Sequence, residues 1–153
     1  MVYADRTAHA ANQGDVFASV RFNGFAMDGM IVAHDCVCDK YVEPRRPLTP
    51  EAVAAFTISV APVHGLDELT GDRQAHARRG EMPRYFFMPA EGDRADLVAD
   101  LWLEQPVLFS HVLERPRISS LSDEWRARLW QQFLRLRLGE DYMTFLRELV
   151  DAA

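Results

Sequence analysis

The chain has 153 residues, 48% of them hydrophobic and 26% charged, which is the size and make-up of one globular domain. A net charge of -6 excludes a protein that holds nucleic acid by its overall charge, while leaving room for a local basic surface. No apolar run reaches the roughly 20 residues that span a bilayer. The N-terminus, MVYADRTAHAANQGD, has neither a basic start nor an apolar stretch, so a cytoplasmic protein with no membrane partner is expected.

Residues 1–13 show no period and read as a loose arm. Gly14-Asp15 then opens a strand, with Val16, Ala18, Val20 and Phe22 on one face and Phe17, Ser19 and Arg21 on the other. Asn23-Gly24 is a turn signal, and the expected loop runs on to Asp28-Gly29. The stretch Gly29–Tyr41, GMIVAHDCVCDKY, starts as an apolar run and reads as a buried strand. Its end holds the densest set of reactive side chains in the chain. If the strand continues, His34, Cys36 and Cys38 share a face, roughly 6.5–7 Å apart per step.

Three prolines in VEPRRPLTP (42–50) mark a connecting loop, with Thr49 placed to cap a short helical turn that has Pro50 at its first position. Residues 55–63 alternate cleanly and form the clearest half-buried strand, with Phe56, Ile58 and Val60 inward and Thr57 and Ser59 outward. The polar segment 64–83 allows a short helix over about Leu66–Ala77. Further strands are expected at Arg84–Met88, Leu97–Leu103, Val107–Leu113 and Arg117–Ser119.

At Ser120 the period changes from two to 3.6. Ser122 is an N-cap type, followed by Asp123 and Glu124 in the first turn. Trp125, Leu129, Phe133 and Leu136 form the apolar stripe, widened by Trp130, Leu134 and Leu138. Gly139 ends this helix, and a second, about Asp141 to Asp151, is expected to bury Tyr142, Phe145, Leu146, Leu149 and Val150.

This order of elements resembles the PemK/MazF family of toxins. The likeness rests on three stretches: Gly14-Asp15-Val16-Phe17 as the opening strand, Gly29–Asp35 as an apolar second strand with a polar end, and Leu97–Gly139 as an acidic strand followed by the entry into a terminal helix. It implies an α+β, mainly β fold: a small SH3-like barrel over residues 14–119, of five to seven mostly antiparallel strands, with C-terminal helices over 120–153. It also implies metal-independent RNA cleavage with no cofactor, a homodimer, and a protein partner such as an antitoxin, in a bacterial or phage setting. The family uses an arginine in the loop before the second strand and a hydroxyl after the third. Here Asn23–Asp28 holds no arginine and His64 stands where the hydroxyl is expected.

The candidate catalytic set is therefore Arg21, His34, Thr57 and His64. Metal-free RNA cleavage needs a base for the 2′-hydroxyl, an acid for the leaving oxygen and a cation for the developing phosphorane charge, and histidine and arginine suit those roles. Arg73, Arg78, Arg79 and Arg84 are the candidate RNA contacts, as guanidinium groups for phosphate. A zinc site on His34, Cys36 and Cys38 with Asp39 or His64 ranks lower, because a single C-x-C lacks the second spaced pair of a strong signature. Cys36 as a nucleophile ranks lower too, since Asp35 and Asp39 oppose a thiolate. The competing function is a catalytically inactive barrel that serves as a protein-interaction module.

Overall fold

The computed structural model describes residues 1–5, 11–42 and 44–152, the side chains of 140–147 and 149–152 excepted. The fold is α+β. Seven strands form one antiparallel sheet: β1 (Asp15–Phe22), β2 (Phe25–Ile31), β3 (Thr57–Gly65), β4 (Tyr85–Met88), β5 (Leu97–Asp100), β6 (Gln105–Leu108) and β7 (Arg117–Ser120). Their order is β4-β5-β3-β2-β1-β7, with β6 beside β3 on the same edge as β5. Among the described residues five helices accompany the sheet: α1 (Asp35–Val42), α2 (Pro50–Ala55), α3 (Gly71–Arg78), α4 (Phe109–Leu113) and the long α5 (Asp123–Ala152).

The β1–β2 hairpin turns on Asn23-Gly24 alone, not on a loop reaching Asp28. Positive φ at Asn23 (33°) and Gly24 (97°) lets two residues reverse the chain, and Phe22 pairs directly with Phe25. The register slips between Phe17 and Val20, where Ser19 takes φ 51°. This bulge breaks the alternation expected of the strand. Val16 joins one core, whereas Phe17, Val20 and Phe22 join the other.

Those two cores lie on the two faces of the sheet. Val16, Met30, Val32, Ala61 and Val63 pack with Leu129 of α5, against which Trp125, Phe133 and Leu136 also settle. Ile31, Ile58 and Val60 pack with Phe109 and Val112 of α4 and Cys38 of α1. Burial on both faces explains the unbroken apolar run at 30–33. Gly29 is required where β2 meets β1 and β3, since a Cβ there would stand 2.8 Å from a Val60 methyl and 3.0 Å from the Phe22 ring.

The expected closed barrel is not what forms. No ladder joins the outer strands among the described residues, so the sheet stays open. The reason lies at 109–113, expected as strand. Phe109 and Val112, three residues apart, turn one apolar face of a short helix into the second core. Single backbone bonds replace a ladder there: Phe109 N–H donates to Phe56 O at 2.9 Å and Ala18 N–H to Pro116 O at 2.8 Å.

Three other expectations change. β2 ends at Ile31, and Asp35 starts α1, so His34, Cys36 and Cys38 share no strand face. Asp35 instead ties segments together: Oδ1 accepts Gln13 N–H at 2.7 Å and the carboxylate pairs with Arg126 of α5. The strand expected over 97–103 stops at Asp100, whose carboxylate accepts Trp102 N–H at 3.2 Å and sets a 3-10 turn over Leu101–Leu103. Leu66–Glu68 is likewise a separate 3-10 turn before α3.

The cap at Thr49 forms as read, its hydroxyl accepting Ala52 N–H at 3.1 Å. α5 begins at Asp123, while the Ser122 hydroxyl donates to Met1 O at 3.0 Å. Gly139 interrupts α5 with φ 79°. The side chains expected to be buried beyond it, Tyr142 to Val150, lie outside the described residues. Residues 1–5 are not a free arm, since Ala4 N–H donates to Ser120 O at 2.9 Å and Tyr3 bridges Leu121. Among the described residues no helix is long and apolar enough to cross a membrane.

Candidate nucleic-acid interface

The four candidate catalytic residues do not converge. Thr57 opens β3 and His64 lies near its end, seven residues and about 23 Å along the strand. An odd separation also turns them to opposite faces. His64 follows Val63, which pairs with Asp28, so His64 falls in the row of Met27 and Val20. Arg21, one residue beyond Val20, projects from the other face. His34 sits past the end of β2, its ring centroid 5.3 Å from that of Trp130 on α5. No hydrogen bond, ion pair or ring contact joins any two of the four among the described residues.

Each histidine is nonetheless held in a defined way. His34 Nδ1 accepts Cys36 N–H at 3.3 Å, which leaves the ring proton on Nε2. His64 Nδ1 donates to Gly65 O at 3.0 Å, and its ring meets Tyr85 edge-on at 6.4 Å. Neither ring makes a side-chain hydrogen bond to a nucleophile or a second proton carrier among the described residues. Cys38 is fully buried, and burial first, then the Asp35 charge, pushes its thiol up to about 12. Cys36, two residues away, is exposed. A tetrahedral site needs several ligands turned to one point, and no group of three suitable side chains occurs among the described residues.

Of the four candidate RNA contacts, three are engaged by carboxylates. Arg78 pairs with Asp96 and lies over the Phe87 ring at 5.6 Å. Arg79 grips Glu81 at 2.5 and 2.9 Å. Arg84 forms a two-pronged pair with Asp100, at 2.9 and 2.6 Å, and the Asp100 side chain is only 4% exposed. Its guanidinium is also held between Tyr85 and Trp102, at 4.9 and 5.1 Å from their ring centroids. The Asp100 hydrogen bond raises the Arg84 pKa further above its ordinary value. Arg73 alone makes no side-chain hydrogen bond or ion pair among the described residues.

The unopposed charge lies elsewhere. A groove of about 840 Å³ runs between α1 and the proline loop, lined by Cys36, Asp39, Lys40, Pro44, Arg45, Arg46, Leu48 and Phe56. Lys40, Arg45 and Arg46 are exposed, and no carboxylate pairs with any of them among the described residues. The cap at Thr49 and the prolines that flank Arg45-Arg46 position this loop, and Tyr41 meets Phe56 at 5.2 Å beneath it. Counting Asp39 and Glu43, the segment 39–46 still carries a net charge of +1, three cations against two carboxylates, in a chain of net -6. Three cations fall within seven residues of the sequence, and the fold brings all three to the lining of one groove. Compared with known proteins, the chain matches no family model and no curated protein.

Proposed function

We propose that this chain is an RNA-binding protein with a PemK/MazF-like order of elements on an open antiparallel sheet, which holds RNA phosphates in the Lys40–Arg46 groove and does not cut them with Arg21, His34, Thr57 and His64. The scaffold part of this reading rests on the order of elements alone. The observation that carries the binding part is the groove itself: three exposed cations without carboxylate partners among the described residues, beside the Phe56 ring. Against cleavage stands the spacing of the four residues, because proton transfer needs acid, base and cation within hydrogen-bond reach of one phosphate.

The test is binding of a mixed-sequence single-stranded RNA, followed by fluorescence anisotropy over a salt series, beside a cleavage assay in EDTA. Lys40→Ala/Arg45→Ala/Arg46→Ala is expected to reduce the slope of log affinity against log salt by about 2, at roughly 0.7 per lost phosphate contact. Its melting temperature should not change. Wild-type protein is expected to leave the RNA intact. An unchanged slope would remove the groove, and cleavage lost in His64→Ala would restore the nuclease.

A protein-interaction role is the second reading. It is favoured by Leu108 and Ile118, large apolar side chains 45% and 40% exposed near the sheet edges.

A further inference from the structure

Trp102 stands out among the exposed side chains, at 64% exposure, and it is not loose. Register places Ala99 opposite Val63 and Gln105 opposite Val60, so the five residues Asp100–Glu104 bulge out across from only Ala61 and Pro62. The bulge is fixed at both ends. Asp100 accepts Trp102 N–H, and Glu104 accepts the Ser59 hydroxyl at 3.1 Å and pairs with Arg137 of α5. Within it, flat groups pile up in the order Tyr85, Arg84, Trp102, with Arg84 locked edge-on by Asp100. Tyr85 is buried at one end of the pile. At the other, the Trp102 indole lies against the guanidinium, and most of the residue meets solvent.

A pocket of about 410 Å³ adjoins Trp102, lined also by Met82, Pro83, Leu136 and Arg73, and by Glu81, whose carboxylate is already held by Arg79. A flat apolar surface that is rigid before binding, next to a cation with no partner among the described residues, fits a flat ring attached to an anion. We propose that Trp102 is a stacking platform for one unpaired nucleobase of RNA, with Arg73 taking the adjoining phosphate; this rests on the RNA-binding reading above. The stack would then continue outward as Tyr85, Arg84, Trp102 and base. Rigidity matters because a platform already held in place loses little freedom when the base arrives.

The experiment compares a single-stranded RNA with an abasic oligomer of the same length, on wild type, Trp102→Ala, Trp102→Phe and Arg73→Ala, each checked for an unchanged melting temperature. Trp102→Ala is expected to weaken RNA binding roughly five- to hundredfold, the range found for loss of one base–aromatic stack. Trp102→Phe keeps a ring and should stay within a few-fold of wild type. The abasic oligomer should bind wild type about as weakly as RNA binds Trp102→Ala, and it should not respond to that change. Arg73→Ala is expected to lower the salt slope by about 0.7, one phosphate contact. RNA binding that persists unaltered in Trp102→Ala, or equal affinity for the abasic oligomer, overturns this inference and leaves the groove reading standing. No binding by wild type overturns both.

Discussion

Two stretches of this chain are rich in arginine, and the structure treats them in opposite ways. In 73–84 the guanidinium groups of Arg78, Arg79 and Arg84 are matched by Asp96, Glu81 and Asp100. In 40–46 the cations of Lys40, Arg45 and Arg46 share a groove with no ion pair among the described residues. The first stretch carries more arginines, and it offers less charge to a ligand. What decides the matter is how far each cation stands from a carboxylate, because a bonded pair presents a dipole to a distant phosphate and an unopposed cation presents a full charge. A count along the sequence cannot separate the two, since Asp96 and Asp100 reach their arginines only after β4 and β5 have paired.

Arg84→Ala should show the largest effect, and it should be on stability. Arg84 neutralises a carboxylate that is almost fully buried, and removing it leaves that charge without its partner. A loss of about 3 kcal/mol is expected, near the lower end for breaking a buried pair because Arg84 itself reaches solvent. For a chain of this length that is roughly 6–12 °C in Tm. The same change in the groove, Arg46→Ala, should leave Tm where it is. If Arg84→Ala melted like wild type, the division between a structural and a free set of arginines would fail at its strongest point.

The comparison also marks how far the sequence could be read. Periodicity locates β3 and α5, because each keeps one pattern long enough to register, and Thr49-Pro50 announces α2; β1 is found in spite of its bulge, and β2 only in its second half, since it starts at Phe25 inside the expected loop. Periodicity goes astray where a few residues carry a tertiary instruction. A two-residue bulge at Ala18-Ser19 moves Phe17 to the other core, Asp100 bends a strand into a turn, and Phe109–Leu113 coils so that two apolar side chains point one way. The run His34–Cys38 looked like a strand because apolar residues lead into it, but Asp35 opens a helix and is held by Gln13 and Arg126 from remote parts of the chain. The catalytic candidates were chosen for chemistry, and their two faces and two ends follow from registers that only the folded sheet fixes.

The cysteines give a second probe of the groove, with a smaller effect. Cys36 lines it and is exposed, while Cys38 is buried with its thiol pushed up to about 12. A thiol reagent at pH 8 should therefore modify one cysteine in the native protein and two after denaturation. Single-stranded RNA should slow the reaction of Cys36 severalfold if it occupies the groove. Linkage adds a sign for Cys38. Its folded value lies above the ordinary 9, so the stability that goes with the buried neutral thiol is complete below about pH 9 and is lost as pH rises toward 12. Labelling of Cys36 at the same rate with and without saturating RNA would place the ligand elsewhere.

The smallest effect tests whether an exposed pair in 73–84 is a pair in solution. Glu81 accepts hydrogen bonds from Arg79 on both oxygens and meets His76 at 2.5 Å on Oε2, which Arg79 Nη2 also reaches. The Arg79 hydrogen bond, then the one from His76, lowers its carboxyl from 4.5 to about 2. A depressed carboxyl contributes whatever stability it has above the ordinary value and loses it as pH falls through the depressed one, here between about 4.5 and 2. Because all three side chains face water, solvent screening leaves that contribution slight, and the titration itself is the better readout. Followed by NMR at the Glu81 side-chain carboxyl, the midpoint should lie near 2 in wild type and climb toward 4.5 in Arg79→Ala, while RNA affinity changes less than about twofold. A midpoint that sits at the ordinary value in both proteins would mean that Arg79 is not engaged. It would then be as free as Arg45 and Arg46, and the line drawn between the two arginine-rich stretches would have to move.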